Sequence, residues 1–146
     1  MSGFRVLDTD HSAFTVSSME QALAVFRDLI GCEVMSDEEA EAADVRTING
    51  IDARVRFVYL RAPGGRVFEL LEYYGPPDRR QVVSRPCDPG AAHVAFRVDD
   101  VEAAVAAGTL AGLSIYNRVF EAPGVKSAYM RGPDGLTIEF ISRGSP

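Results

Sequence analysis

The chain contains no tryptophan, and histidine and cysteine occur only twice each. Two cysteines, Cys32 and Cys87, cannot build a disulfide framework, and their separation is not that of a zinc-ligand pair. They are expected to be free thiols in a cytoplasmic protein. No run approaches the roughly 18 uninterrupted apolar residues that a membrane helix requires. The opening Met-Ser-Gly-Phe-Arg-Val-Leu-Asp has no basic segment followed by an apolar one, which predicts no secretory signal. Lysine and arginine number 15 against 21 aspartates and glutamates, a net charge of −6, which argues against wrapping nucleic-acid phosphates. A small molecule is the expected partner, with neither nucleic acid nor membrane. At 146 residues and 47% hydrophobic, residues 1–146 are long enough to bury one sizeable core.

What the chain does have is a repeat. His11-Ser12-Ala13-Phe14-Thr15-Val16-Ser17-Ser18-Met19-Glu20-Gln21-Ala22 returns as His93-Val94-Ala95-Phe96-Arg97-Val98-Asp99-Asp100-Val101-Glu102-Ala103-Ala104, an offset of 82. Later, Tyr59, Arg61, Pro63, Gly65 and Glu69 return as Tyr129, Arg131, Pro133, Gly135 and Glu139, an offset of 70. The first copy therefore carries twelve extra residues between its matching blocks. Both histidines of the protein open a copy. Two modules follow, about 9–74 and 91–143, joined by a Pro-, Arg- and Asp-rich linker over 75–90 within a single domain.

Hydrophobic periodicity gives the elements of each module. Residues 1–8 form a short leader with some strand character. His11–Val16 alternates as a strand. Ser17-x-x-Glu20 forms a capping box for a helix whose stripe is Met19, Ala22, Leu23, Phe26, Leu29 and Ile30, with Gly31 as its stop. Cys32–Met35 is a short strand, and the acidic 36–44 is helix-prone, read as a solvated segment over a lid covering a site. Val55–Leu60 and Val67–Tyr74 are strands joined at Pro63-Gly64-Gly65. In the second module His93–Val98 is a strand, Asp99-x-x-Glu102 a capping box and Gly112 a helix stop. Strands at 113–116, 125–131 and 136–142 complete it, the last two joined at Pro133-Asp134-Gly135. The expected fold is α+β: two tandem βαβββ modules forming a cup-shaped antiparallel sheet backed by helices.

Strand parity decides which polar residues share a face. Phe68 and Leu70 oppose Glu69, and Ile138 and Phe140 oppose Glu139. With the large apolar faces packed on the helices, His11, Glu69, His93 and Glu139 line the other side. Glu72 has the opposite parity and is expected to face solvent. A carboxylate placed mid-strand between apolar neighbours needs a partner, because burying an unpaired charge costs on the order of several kcal/mol. A divalent cation is one such partner. Two imidazoles and two carboxylates suit Ni, Co, Mn, Fe, Zn or Mg and leave octahedral positions open for a chelating substrate. A lone strand histidine or mid-strand glutamate is ordinarily structural; these four stand apart because they fall at repeat-equivalent positions. Tyr59 and Tyr129 are repeat-equivalent too, and are read as structural. Arg97 and Thr15 share the histidines' face and are candidate substrate contacts.

This pattern resembles the vicinal oxygen chelate superfamily, which includes glyoxalase I, methylmalonyl-CoA epimerase, extradiol dioxygenases, and fosfomycin and bleomycin resistance proteins. The resemblance runs from about His11 to Ser142. In metal-dependent members the ligands come from the first and last strands of each module. That implies His11, Glu69, His93 and Glu139 here, a complete set similar to that of glyoxalase I. Three functions are implied. The first is a metal-dependent isomerase, epimerase or lyase passing through an enolate, with Glu139 or Glu69 as base and Asp52 as a separate candidate carboxylate. The second is an Fe(II) dioxygenase using His11, His93 and Glu139, against which Glu69 counts. The third is a non-catalytic protein that sequesters an antibiotic. The resemblance also implies a homodimer.

Overall fold

The computed structural model describes residues 3–144. Two compact units emerge: residues up to Met19 together with Phe26–Pro77, and Glu20–Val25 together with residues from Asp78 onward. Each is built on its own sheet.

In unit 1, β1 (Ser12–Thr15) is followed by helix α1, which is α-helical over Met19–Leu23 and widens to a π-helix over Ala24–Leu29. Strand β2 (Glu33–Ala40), helix α2 (Ala42–Asn49), β3 (Val55–Arg61) and β4 (Val67–Tyr73) follow. The strand order is β1-β4-β3-β2. The sheet is mixed rather than antiparallel: β1 runs parallel to β4, while β4, β3 and β2 are antiparallel neighbours. The reason is the connection. A helical crossover returns the chain in its original direction, so β1 and β2 are codirectional, and two hairpin reversals make β4 codirectional with both.

Unit 2 repeats the arrangement with β5 (His93–Arg97), α3 (Val101–Leu110), β6 (Ser114–Ile115), β7 (Phe120–Ala122), β8 (Val125–Arg131) and β9 (Thr137–Arg143). Its order is β5-β9-β8-β6, with β7 also on β8 and β5 parallel to β9. Register is conserved between the units. Ala40 pairs with Val55 as Ala122 pairs with Val125. Val16 N–H donates to Leu71 as Val98 N–H donates to Ile141, at 2.8 and 2.9 Å.

The twelve extra residues of the first copy are now placed. Fourteen residues separate Ala40 from Val55, where two separate Ala122 from Val125, and the surplus is α2 with its flanking turns. The acidic stretch 36–44 divides between two elements: residues 36–40 form the outer, largely exposed half of edge strand β2 rather than a helix, and 42–44 open α2. The strand's charges meet arginines on and just before β3: Asp37 accepts two hydrogen bonds from Arg56, at 2.9 and 2.7 Å, and Glu39 accepts from Arg54. Cross-strand pairing overrides the weak helical propensity of this stretch. The predicted single strand 113–116 is likewise shorter, and its continuation is β7. Residues 3–8 contain no strand.

Capping differs from expectation in two places. The N-cap of α3 is Asp100, whose carboxylate accepts from Ala103 N–H at 2.9 Å, one residue later than the predicted Asp99. Glu72 does not simply face solvent: its Oε2 accepts from Met19 N–H at 3.2 Å. A carboxylate there complements the positive end of α1.

The cores follow the alternation. In β3 and β4, Val58 opposes Leu70 and Leu60 opposes Phe68, all buried. In β8 and β9, Ala128 opposes Phe140 and Met130 opposes Ile138, again all buried. Phe26 of α1 stacks on Phe14 and packs at a tilt against Phe68, with ring centroids 5.8 and 5.9 Å apart. Its repeat counterpart on α3 is Gly108, where an added Cβ would lie 2.9 Å from the sulfur of Met130. One unit fills the helix–sheet gap with an aromatic ring; the other closes it by near approach of the backbone.

Both cysteines are free thiols, as expected. Cys32 is buried, and burial pushes its pKa up to about 11, whereas Cys87 is exposed. One thiol per chain is therefore expected to react with an aromatic disulfide reagent at about pH 8, and both after denaturation. Two fast thiols in the folded protein would contradict this packing.

Candidate metal centre

Each sheet places one histidine beside one glutamate. His11 sits at the entry to β1 and Glu69 in the middle of adjacent β4, where Ala13 is its register partner. The imidazole Nε2 of His11 lies 3.2 Å from Glu69 Oε2. In unit 2, His93 begins β5, and Glu139 in β9 has Ala95 as its partner. His93 Nε2 lies 3.4 Å from Glu139 Oε2. The carboxylates are the enclosed members: Glu69 and Glu139 side chains are 13% and 11% exposed, against 29% and 44% for His11 and His93.

A third residue joins each pair, one that its repeat equivalence alone reads as structural. Tyr59 is the direct cross-strand partner of Glu69, and Tyr129 of Glu139. Each ring stands edge-on to its histidine, with centroids 5.4 Å apart for His11–Tyr59 and 5.2 Å for His93–Tyr129. Burial raises the pKa of both phenols, and the neighbouring glutamate raises it further through its charge and a hydrogen bond. The hydroxyl stays protonated and donates to the carboxylate. The signal was available: a tyrosine at the same register position in both repeats shares the glutamate's face.

The two histidines differ in what holds them. His11 Nδ1 is 2.7 Å from Asp10 Oδ2, and this hydrogen bond is the leading cause of a raised His11 pKa, with burial opposing and Glu69 assisting. The residue corresponding to Asp10 before His93 is Ala92.

The remaining candidates fall in different settings. Thr15 and Arg97 are exposed on β1 and β5, at alternate positions from the histidines, and Arg97 is the register partner of Ile141. Asp52 lies in the exposed turn after α2, where it accepts from Arg46 at 2.6 Å.

The donor set fits a borderline or hard divalent ion: neutral imidazole nitrogen with carboxylate oxygen, and no thiolate. Each unit presents one such imidazole and one such carboxylate. Among the described residues no group of three or more His, Cys, Asp or Glu side chains is close enough to hold a metal ion.

A repeated unit of one strand, a helix and a further run of strands, with a histidine at the start of the first strand and a glutamate on the last, defines a class of two-module α+β proteins. The chain belongs to the glyoxalase/bleomycin resistance protein/dioxygenase superfamily, whose model matches residues 10–129. It is 31% identical over 142 residues to the 2-epi-5-epi-valiolone epimerase of an Actinomyces species, covering 90% of this chain and 77% of that one. Among solved structures it resembles a glyoxalase family protein from Bacillus cereus, with TM-score 0.87 and 21% identity over 99% of each chain. It also resembles a fosfomycin resistance protein of Listeria monocytogenes solved with Mn(II) and sulfate. There the TM-score is 0.64 at 14% identity, over 97% of this chain and 95% of that one. Among the described residues no helix is long and apolar enough to cross a membrane.

Proposed function

We propose that this chain is a metal-dependent isomerase, epimerase or lyase acting on a small oxygen-chelating substrate. In this reading His11, Glu69, His93 and Glu139 together hold one divalent cation. The observation that carries it is the double occurrence of the same trio, His11–Glu69–Tyr59 and His93–Glu139–Tyr129, at repeat-equivalent positions. The epimerase relative supports the class of reaction, and the manganese-containing fosfomycin resistance protein supports the cofactor. When bound, the cation supplies charge stabilisation for an enolate formed next to a substrate carbonyl.

The chain's own residues do the rest. Glu139 or Glu69 takes the proton adjacent to that carbonyl and returns it to the same face in an isomerisation. In an epimerisation the other carboxylate, protonated beforehand, delivers its proton to the opposite face. The Tyr129 and Tyr59 hydroxyls orient the carboxylates by donating to them. Arg97 is placed to meet an anionic substrate group, and Thr15 to donate to or accept from a hydroxyl. Asp52 is tied to Arg46 and serves the turn. A homodimer is part of the reading. Mixing inactive His11→Ala and His93→Ala chains recovers metal binding if pairs from different copies meet.

Asp10 should matter to metal affinity. A ligating imidazole commonly donates its second N–H to a carboxylate, which fixes the tautomer. Asp10→Ala is expected to weaken divalent-metal binding about tenfold, measured by calorimetric titration; unchanged affinity would remove Asp10 from this role. The reaction itself is tested with 2-epi-5-epi-valiolone in deuterated water. Metal-dependent deuterium incorporation beside the carbonyl supports the reading. Oxygen uptake with a catechol under Fe(II), without such exchange, would overturn it in favour of a dioxygenase.

A further inference from the structure

We propose that a groove beside His11 in unit 1 is a subsite for a polyhydroxylated small molecule, recognised by Asp8, Asp10 and Arg66. The inference rests on the metal-site reading for its catalytic meaning and deepens it by naming the substrate class. The groove measures about 430 Å³ and is bordered by the segment leading into β1 and by the Gly64–Gly65 turn, with His11 itself in the wall. That size is within the range of about 300–1,000 Å³ typical of small-molecule sites.

The repeat supplies an internal control. Asp8, Thr9, Asp10 and Ser12 correspond at the offset of 82 to Gly90, Ala91, Ala92 and Val94, and Arg66 corresponds at the offset of 70 to Leu136. Five polar positions of unit 1 are thus glycine or apolar in unit 2. Since unit 2 forms the same strands around His93, the fold does not require those polar groups. The space differs in the same sense. A Cβ added to Gly135 would lie 3.8 Å from both Val82 O and Val83 Cα, and 3.4 Å from Arg131 Nη1. At Gly65, its counterpart, nothing lies within 4 Å. In unit 2 the chain itself fills the place; in unit 1 it is open and polar.

The lining selects hydroxyls. Asp8 Oδ1 accepts from Thr9 N–H, and Asp10 Oδ2 contacts His11 Nδ1, each at 2.7 Å; the second oxygen of each carboxylate is left as an acceptor. Among the described residues no hydrogen bond or ion pair engages the Arg66 guanidinium, which supplies donors. Hydroxyl groups both donate and accept, and so satisfy carboxylate and guanidinium together. An anion would meet two carboxylates, and a cation would meet Arg66. Val67 and Phe68 add apolar wall for the carbon skeleton.

The test is a titration of ¹⁵N-labelled protein, as purified and after chelator treatment, with myo-inositol, and with acetate and butylamine as charged controls. Saturable amide shifts are expected with myo-inositol at residues 8–12 and 64–68, and none at residues 90–94. Arg66→Ala and Asp8→Ala, both at surface positions, should each weaken binding about tenfold, as for loss of one hydrogen bond to a charged group. No groove shifts with myo-inositol, a stronger response to acetate or butylamine, or unchanged binding in both variants would overturn the proposal. Because chelated protein is included, this outcome is separate from whether the two His/Glu pairs retain a metal, which is measured on the same samples.

Discussion

Glu139→Gln is expected to abolish divalent-metal retention while leaving the metal-free protein at least as stable as the wild type. Glu139 is buried, its residue as a whole 9% exposed, and its strand neighbours Ile138 and Phe140 are at 0% and 2%. A carboxylate held there without a cation carries a desolvation cost on the order of several kcal/mol. Glutamine keeps the shape and can still accept from the Tyr129 hydroxyl, but it brings no charge to a metal. Such a split, metal binding lost and stability kept or raised, marks a residue retained for function at a cost to the fold. Metal analysis after desalting and a urea unfolding midpoint read the two halves separately. A Gln variant that retains metal, or that loses more than about 2 kcal/mol without it, would instead make Glu139 a structural partner of His93.

Phe26→Ala is expected to cost about 3–5 kcal/mol, measured by denaturant unfolding. Its ring is fully buried against Phe14 and Phe68, and it sits on the widened second half of α1. A loss of that size is comparable to the total stability of many small domains, about 5–15 kcal/mol. Phe120→Ala is the control. That ring, on short strand β7, is 57% exposed, and its removal should change stability by no more than about 0.5 kcal/mol. Similar losses in both variants would mean that Phe26 is not the keystone of its unit.

Much of this was legible in the sequence because the chain states its plan twice. The offsets of 82 and 70 located both sheets, the strand parity put Glu69 and Glu139 beside the histidines, and contacts of 3.2 and 3.4 Å join those pairs. What was hidden is non-local. The parallel pairing of β1 with β4 follows from chain direction after a crossover, which local periodicity does not report. Residues 36–40 look helical in isolation because Asp and Glu dominate; pairing with β3 and with Arg54 and Arg56, fifteen to nineteen residues further on, makes them a strand. Parity points Glu72 away from the histidines, and that opposite face of its sheet carries the N-terminus of α1. Tyr59 and Tyr129 were assigned to structure because they repeat, although repetition was the same argument that selected the histidines.

The most direct test of the central claim is the divalent-metal content of protein purified with neither added metal nor chelator, compared with Glu69→Ala and His93→Ala. These two substitutions remove one ligand from each unit. The account predicts one ion per chain in the wild type and loss of it in both variants. Wild-type protein that neither retains nor takes up a divalent ion, or an ion that survives the loss of either ligand, would contradict it.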